Sequence, residues 1–274
     1  MKPAQETRSA RGCAPCEGDD NMNLNAIYVM WLREMKKYVR NRSRLVGNLA
    51  LPFFFLAFLG LGLNSFVNIP GMSGNGSYLD FLAPGIVAMT LLFSSMFAGI
   101  SILWDRQFGF LKEIMVAPVS RTSIVLGRVA AGMTTGTIQA FFILGISFLL
   151  GVQIPGITAI LVSMIFILLI SMSFVGLGIS FASVMEDMQG FQLIMNFLIM
   201  PTFLLSGALF PLSNLPVWLG ALSYLDPLTY GVDGLRGLLT GLSHLPVILD
   251  FAILGGFCIA MILLARHLFN RTEV

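Results

Sequence analysis

The chain has 274 residues, of which 56% are hydrophobic and only 11% charged, with a mean hydropathy of +0.85. A water-soluble domain carries about 25% charged residues, so this composition excludes an ordinary soluble enzyme and points to an integral membrane protein. The net charge of +2 names no partner and gives no sign of nucleic-acid binding, and three cysteines do not make a complete disulfide framework.

Residues 1–21 are polar and rich in Gly, Pro and charge, and they lack the apolar core of a signal peptide, which predicts a disordered tail. Cys13 and Cys16 form a lone CxxC there, with no second pair or nearby His to complete a zinc site. Met22 opens MNLNAIYVMW, which reads as a natural start to the membrane domain, 22–274. Asn23–Arg44 has the pattern of an amphipathic interfacial helix. Ile27, Trp31, Met35 and Tyr38 share one face, and Arg33, Lys36, Lys37 and Arg40 cover the other. Such a basic amphipathic helix favours an anionic membrane surface, so membrane lipid is an expected partner.

Runs of about 20 apolar residues suffice to cross a hydrocarbon core of about 30 Å. Six are expected, at about 45–64, 79–104, 123–152, 157–184, 188–210 and 246–268. Backbone groups in lipid must pair internally, and these runs lack the alternation of barrel strands, so the spans are helices. Asp105–Arg121 joins the second and third spans and holds Asp105, Arg106, Lys112, Glu113 and Arg121. Phe108, Leu111 and Met115 recur at helical spacing within it, and Pro118 stops the turn, which predicts a short surface helix. Arg128 lies near the start of the third span, where its head can snorkel to water. Gly132 and Gly136 form a GxxxG that permits close packing. Glu186 and Asp187 mark a short charged turn. Pro211–His244 is too apolar for a solvated loop and too interrupted for a span, so short re-entrant helices dipping into the outer leaflet are expected at 211–244.

The Lys and Arg residues gather in the N-terminal segment, the 105–128 region and the C-terminus, with Arg236 as the exception. By the positive-inside rule both termini are cytoplasmic, and six spans satisfy the parity. The fold class is thus all-α and multi-pass in a plasma membrane: six transmembrane helices, an N-terminal amphipathic helix, a charged cytoplasmic connector and external short helices before the last span.

The inventory of chemistry is sparse. There is no HExxH, no pair of mid-span carboxylates and no nucleophile with a base, so no catalytic, metal or cofactor site is expected in the chain. A phosphate-binding P-loop needs Gly-Lys, and none of Lys2, Lys36, Lys37 and Lys112 follows glycine. Any ATP-driven work must therefore enter through a separate subunit, and the connector at 105–121 is the expected port.

Two stretches, FLAPGIVAMTLLFSSMFAGISILWDRQFGFLKEIMVAPVSRTSIVLGRVAAG (81–132) and PLSNLPVWLGALSYLDPLTYGVDGLRG (211–237), resemble the ABC-2 type permeases, the transmembrane subunits of bacterial and archaeal ATP-binding-cassette exporters. The likeness covers about Asn23–Arg271 and is nearest to the daunorubicin-resistance and nodulation-factor-export permeases. It implies a permease that pairs as a dimer, as a homodimer here, and binds two ATPase subunits, which carry the ATP and Mg. By position it implies that Phe108, Phe110, Leu111, Lys112, Glu113, Met115 and Pro118 form a coupling helix against the ATPase. Arg33, Lys36, Lys37 and Arg40 lie on its connecting helix, and Glu186 and Asp187 form a second cytoplasmic contact. The cargo would be amphipathic (drug, lipid or glycan-linked), moved out of the cytoplasm by alternating access. Met89, Phe93, Met96, Asn196, Met200 and Phe203 are candidates to line its path, against ordinary helix packing as the alternative. Two plainer readings stay open: Phe108 and Leu111 as anchors in the headgroups, and the whole chain as a non-transporting membrane anchor or assembly scaffold.

Overall fold

The computed structural model describes residues 23–62, 77–110, 119–152, 156–212 and 216–271, with the side chains of Arg42, Arg44 and Leu45 excepted. The expected tail at 1–21 therefore lies outside the described residues. Within them every regular element is helical. The elements are α1 (Leu24–Arg40), α2 (Arg42–Phe54, continuing as π-helical turns over Phe55–Leu61), α3 (Tyr78–Met96), a 3-10 turn (Phe97–Gly99), α4 (Ile100–Gln107), α5 (Arg121–Leu149), α6 (Ile157–Val184), α7 (Met188–Leu205), α8 (Val217–Leu225), α9 (Pro227–Thr240) and α10 (Val247–Asn270).

Five helical stretches among the described residues are long and apolar enough to cross a membrane: Tyr78–Gln107, Arg121–Leu149, Ile157–Val184, Met188–Leu205 and Val247–Asn270. The expected first span is a shorter apolar helix, Val46–Leu61. At 1.5 Å per residue it is about 24 Å long. Pro52 lies inside it, and the ladder widens to π-helical turns directly afterwards.

The helix starts are locally specified. Ser77 and Asp80 make a reciprocal capping box at α3, Ser120 caps α5, and Asp187 accepts the Gly190 amide to cap α7. The core is built around α3 and α6. All but two residues of α3 are buried, because α5, α6 and α9 pack around it. The 3-10 turn is where the chain crosses α6 at closest range: a Cβ on Gly99 would strike the Gly178 carbonyl, and one on Gly178 would strike the backbone of Met96. The expected GxxxG works as a packing device. Gly132 faces Val175 and Ala98, and Gly136 faces Ser171 and Leu91, so α5 lies close on α3 and α6. Ser95 and Ser171 hydrogen-bond at 3.1 Å in the same layer.

Two expectations are revised. First, α1 ends at Arg40, short of the expected Arg44, with a break at Asn41. It packs lengthwise on α5 in the same direction: the Asn23 amide donates to Ser123 Oγ at 3.1 Å, Trp31 Nε1 donates to Thr134 Oγ1 at 3.0 Å, and Gln139 Nε2 donates to the Tyr38 hydroxyl at 3.0 Å. The apolar face expected of α1 thus binds protein, with Met30 buried beside it. Second, the helix of the expected span 188–210, α7, includes Pro201 and ends at Leu205, short of 210, with Gly207 at φ +70 just beyond.

The segment before α10 forms two helices. α8 is largely exposed, and α9 inserts among α3, α6 and α10. Arg236, the cation that departs from the positive-inside pattern, is 2% exposed. Its guanidinium sits 3.7 Å from the Phe81 ring centroid and donates to the carbonyls of Gly207 at 2.9 Å and Phe81 at 3.4 Å. Burial pushes its pKa down to about 10, so it remains charged at neutral pH. A cation satisfied inside protein carries little weight in a rule about solvated loops.

Candidate functional site

The ends of the helices sort into two groups. Asn23 meets Ser123, Arg106 meets the Met185–Glu186 turn, and Arg121 Nη1 donates to the Asn270 carbonyl at 2.6 Å. The start of α1, the end of α4, both ends of the α4–α5 connector, the α6–α7 turn and the end of α10 therefore share one end of the bundle. That end carries the charged residues singled out above.

Its centre is Asp105, in the last turn of α4 and 2% exposed. Oδ1 accepts from Arg33 Nη2 at 2.8 Å and from Lys37 Nζ at 3.2 Å, both on α1. Oδ2 accepts from Arg128 Nη2 at 2.6 Å, on α5. Arg128 Nη1 donates to Ser101 Oγ at 3.1 Å. Arg128 is 3% exposed, so it does not snorkel; the carboxylate opposite holds it inside. One acid thus joins three elements through three cations. In a poorly solvated setting such pairs are strongly coupled, and a carboxylate with several charge-assisted donors stays ionised. The arrangement offers no nucleophile, base or metal cage, and no group of metal-ligating side chains occurs among the described residues. What it does is mechanical: it ties α1, α4 and the start of α5 to one another.

The candidate coupling residues are only partly placed. Leu111, Lys112, Glu113, Met115 and Pro118 lie outside the described residues. Phe108 and Phe110 are exposed, at 62% and 51%. Phe108 caps α4 and stacks on Trp104 with centroids 5.3 Å apart, and Gly109 follows at φ +77, a backbone conformation that ends the helix. Asp105, Arg106 and Gln107 thus belong to the helix rather than to the connector. On the second turn, Arg106 Nη1 donates to the Met185 carbonyl at 3.3 Å and lies 3.8 Å from the Glu186 carboxylate, while Asp187 serves as the α7 cap. Of the connecting-helix residues, Arg33 and Lys37 reach Asp105, whereas Lys36 and Arg40 are exposed and make no ion pair among the described residues.

The six path candidates do not form one lining. Met89 and Met96 are buried in the core of α3, and Phe93 is half-buried. Phe203 is buried edge-on against Phe55, while Asn196 and Met200 sit exposed on the outer side of α7.

A model of the family described as "ABC-2 type transporter" matches residues 25–240. The chain belongs to the ABC-2 type transporter family. Its ABC-2 relatives span most of its length. A putative transport permease, ycf38, of Cyanophora paradoxa is 30% identical over 81% of this chain and 77% of that protein. The inner membrane transport permease YadH of Escherichia coli K12 is 25% identical over 90% of this chain and 95% of that protein. The probable multidrug ABC transporter permease YbhR of the same organism is 28% identical over 58% of this chain and 43% of that protein. An ABC-2 membrane transport subunit, membrane-embedded, accounts for the apolar helical bundle. The family implies an ABC ATPase partner in general. Asp105 and Arg128 were both visible in the sequence; their pairing at the heart of the charged end was not.

Proposed function

We propose that the chain is the permease subunit of an ATP-binding-cassette exporter, powered by a separate ATPase that binds ATP and Mg, and that it works as a homodimer in a plasma membrane with both termini cytoplasmic. The observation that carries this reading is the Asp105 hub. It ties the basic helix α1 to both helices that flank the 108–120 connector. A push on the connector is thereby passed to the core helix α3 and to α5 rather than absorbed in a loose loop. Phe108, Phe110, Leu111, Lys112, Glu113, Met115 and Pro118 form the ATPase contact, Glu186 and Asp187 add a second, and the Arg106–Glu186 approach keeps the two contacts side by side. Two such halves rocking between access states would carry an amphipathic cargo between them. Met200 and Asn196, exposed on α7, are the path candidates available to a second copy.

The test is reconstitution with the candidate ATPase. The complex should hydrolyse ATP faster with cargo present and move an amphipathic fluorophore out of the compartment that faces the ATPase. Glu113→Arg and Phe108→Asp should each reduce both activities to background while the protein still inserts. Wild-type coupling in both variants would remove the connector from the mechanism. A chain that recruits the ATPase without any cargo movement would be a scaffold.

A further inference from the structure

Between the basic side of α1 and the ends of α4 and α5 lies a cleft of 1520 Å³. Its two walls differ in kind. One is cationic, with Arg33, Lys36, Lys37 and Arg40 from α1 and Arg128 at the base. The other is aromatic, with Phe97, Trp104 and Phe108. Trp104 is 48% exposed even though it stacks on Phe108. Among the described residues the lining charges do not balance: Glu34 and Asp105 are the acids, against those five cations. Lys36 and Arg40 form no ion pair among the described residues, and the buried Arg128 keeps its Nε without a hydrogen-bond partner there. An excess of positive charge lining a cleft favours an anionic ligand.

We propose that this cleft binds an anionic phospholipid, with the phosphate of its headgroup against Lys36, Arg40 and Arg33 and its acyl chains along Phe97, Trp104 and Phe108. A free phosphate would use only the cationic wall. An amphiphile uses both, and the cleft lies at the charged end of the bundle, the depth at which headgroups meet membrane helices. The inference rests on the chain being membrane-embedded and not on the direction or the cargo of transport.

The full-length chain in detergent is offered phosphatidylglycerol, phosphatidylcholine or inorganic phosphate, and bound molecules are counted by native mass spectrometry. In a Trp31→Phe/Trp218→Phe background, which leaves Trp104 as the single tryptophan, brominated forms of the two lipids report on the cleft by quenching. Phosphatidylglycerol should be retained and its brominated form should quench Trp104 more strongly than brominated phosphatidylcholine. Each basic side chain near an anionic lipid is worth about fivefold in binding. Lys36→Gln/Arg40→Gln should therefore weaken phosphatidylglycerol binding about 25-fold with an unchanged Tm, while the charge-conserving Lys36→Arg/Arg40→Lys retains it. Equal quenching by the two lipids would mean an unspecific lipid belt and overturn the proposal. Displacement of the lipid by inorganic phosphate would mean a free-anion site and overturn it as well.

Discussion

Around Asp105 and Arg128, deleting one charge and deleting both have opposite consequences. Loss of one partner strands the other in a poorly solvated site at a cost of about 3–5 kcal/mol, whereas replacing a buried pair with apolar side chains of similar size is close to neutral. Arg33 and Lys37 can turn to water, since their side chains are 29% and 47% exposed. Asp105→Leu should therefore lower the Tm sharply, and Asp105→Leu/Arg128→Met should restore most of it in a thermal melt. A double variant as unstable as the single one would mean that the pair itself supplies the stability. The sequence contained the elements of this hub without showing them joined. The charge at Asp105 ended the expected second span at Trp104 and left Asp105 in the connector. The helix runs on to Gln107, and an antiparallel neighbour then brings Arg128 to the same depth. Two opposite charges at matched distances from one turn were the available signal.

At the scale of elements, the closest approach of two backbones fixes the geometry of the bundle. Gly99 and Gly178 have no room for a side chain, because each would run into main-chain atoms that cannot rotate away. Gly178→Leu should destabilise the chain by about 3 kcal/mol or more, as expected for overpacking against backbone. Gly145→Leu, on α5 where a Cβ meets open space, should leave the melting temperature within about a degree of wild type. Equal stability of the two variants would displace the crossing from its role. Helix positions were readable because long apolar runs and their caps are local properties: α6 falls at the expected 157–184. What was not readable depends on neighbours. The apolar face of α1 could be assigned from periodicity, but nothing in its period distinguishes a lipid surface from the side of α5. Pro201 reads as a breaker, yet α7 continues through it.

Over the whole molecule, the first and last described helices return to the same end, through the Asn23–Ser123 and Arg121–Asn270 bonds. α8 lies at the other end, with Val217 91% exposed. In a Cys13→Ser/Cys16→Ser background, Val217→Cys should react with a membrane-impermeant maleimide in intact cells. Asn25→Cys and Arg271→Cys should react only after permeabilisation. Labelling of Arg271→Cys in intact cells, with Asn25→Cys protected, would refute the even number of crossings and the cytoplasmic C-terminus together.

The 3-10 turn at Phe97–Gly99 divides the Tyr78–Gln107 helix unequally. At 1.5 Å per residue, α4 extends about 12 Å below it and α3 about 28 Å above. With Gly178 as a fulcrum, a rigid tilt that moves the Gln107 end by one ångström carries the Tyr78 end a little over two ångströms the opposite way. The short arm is the charged one, so a small, forceful displacement there would become a larger one at the far surface.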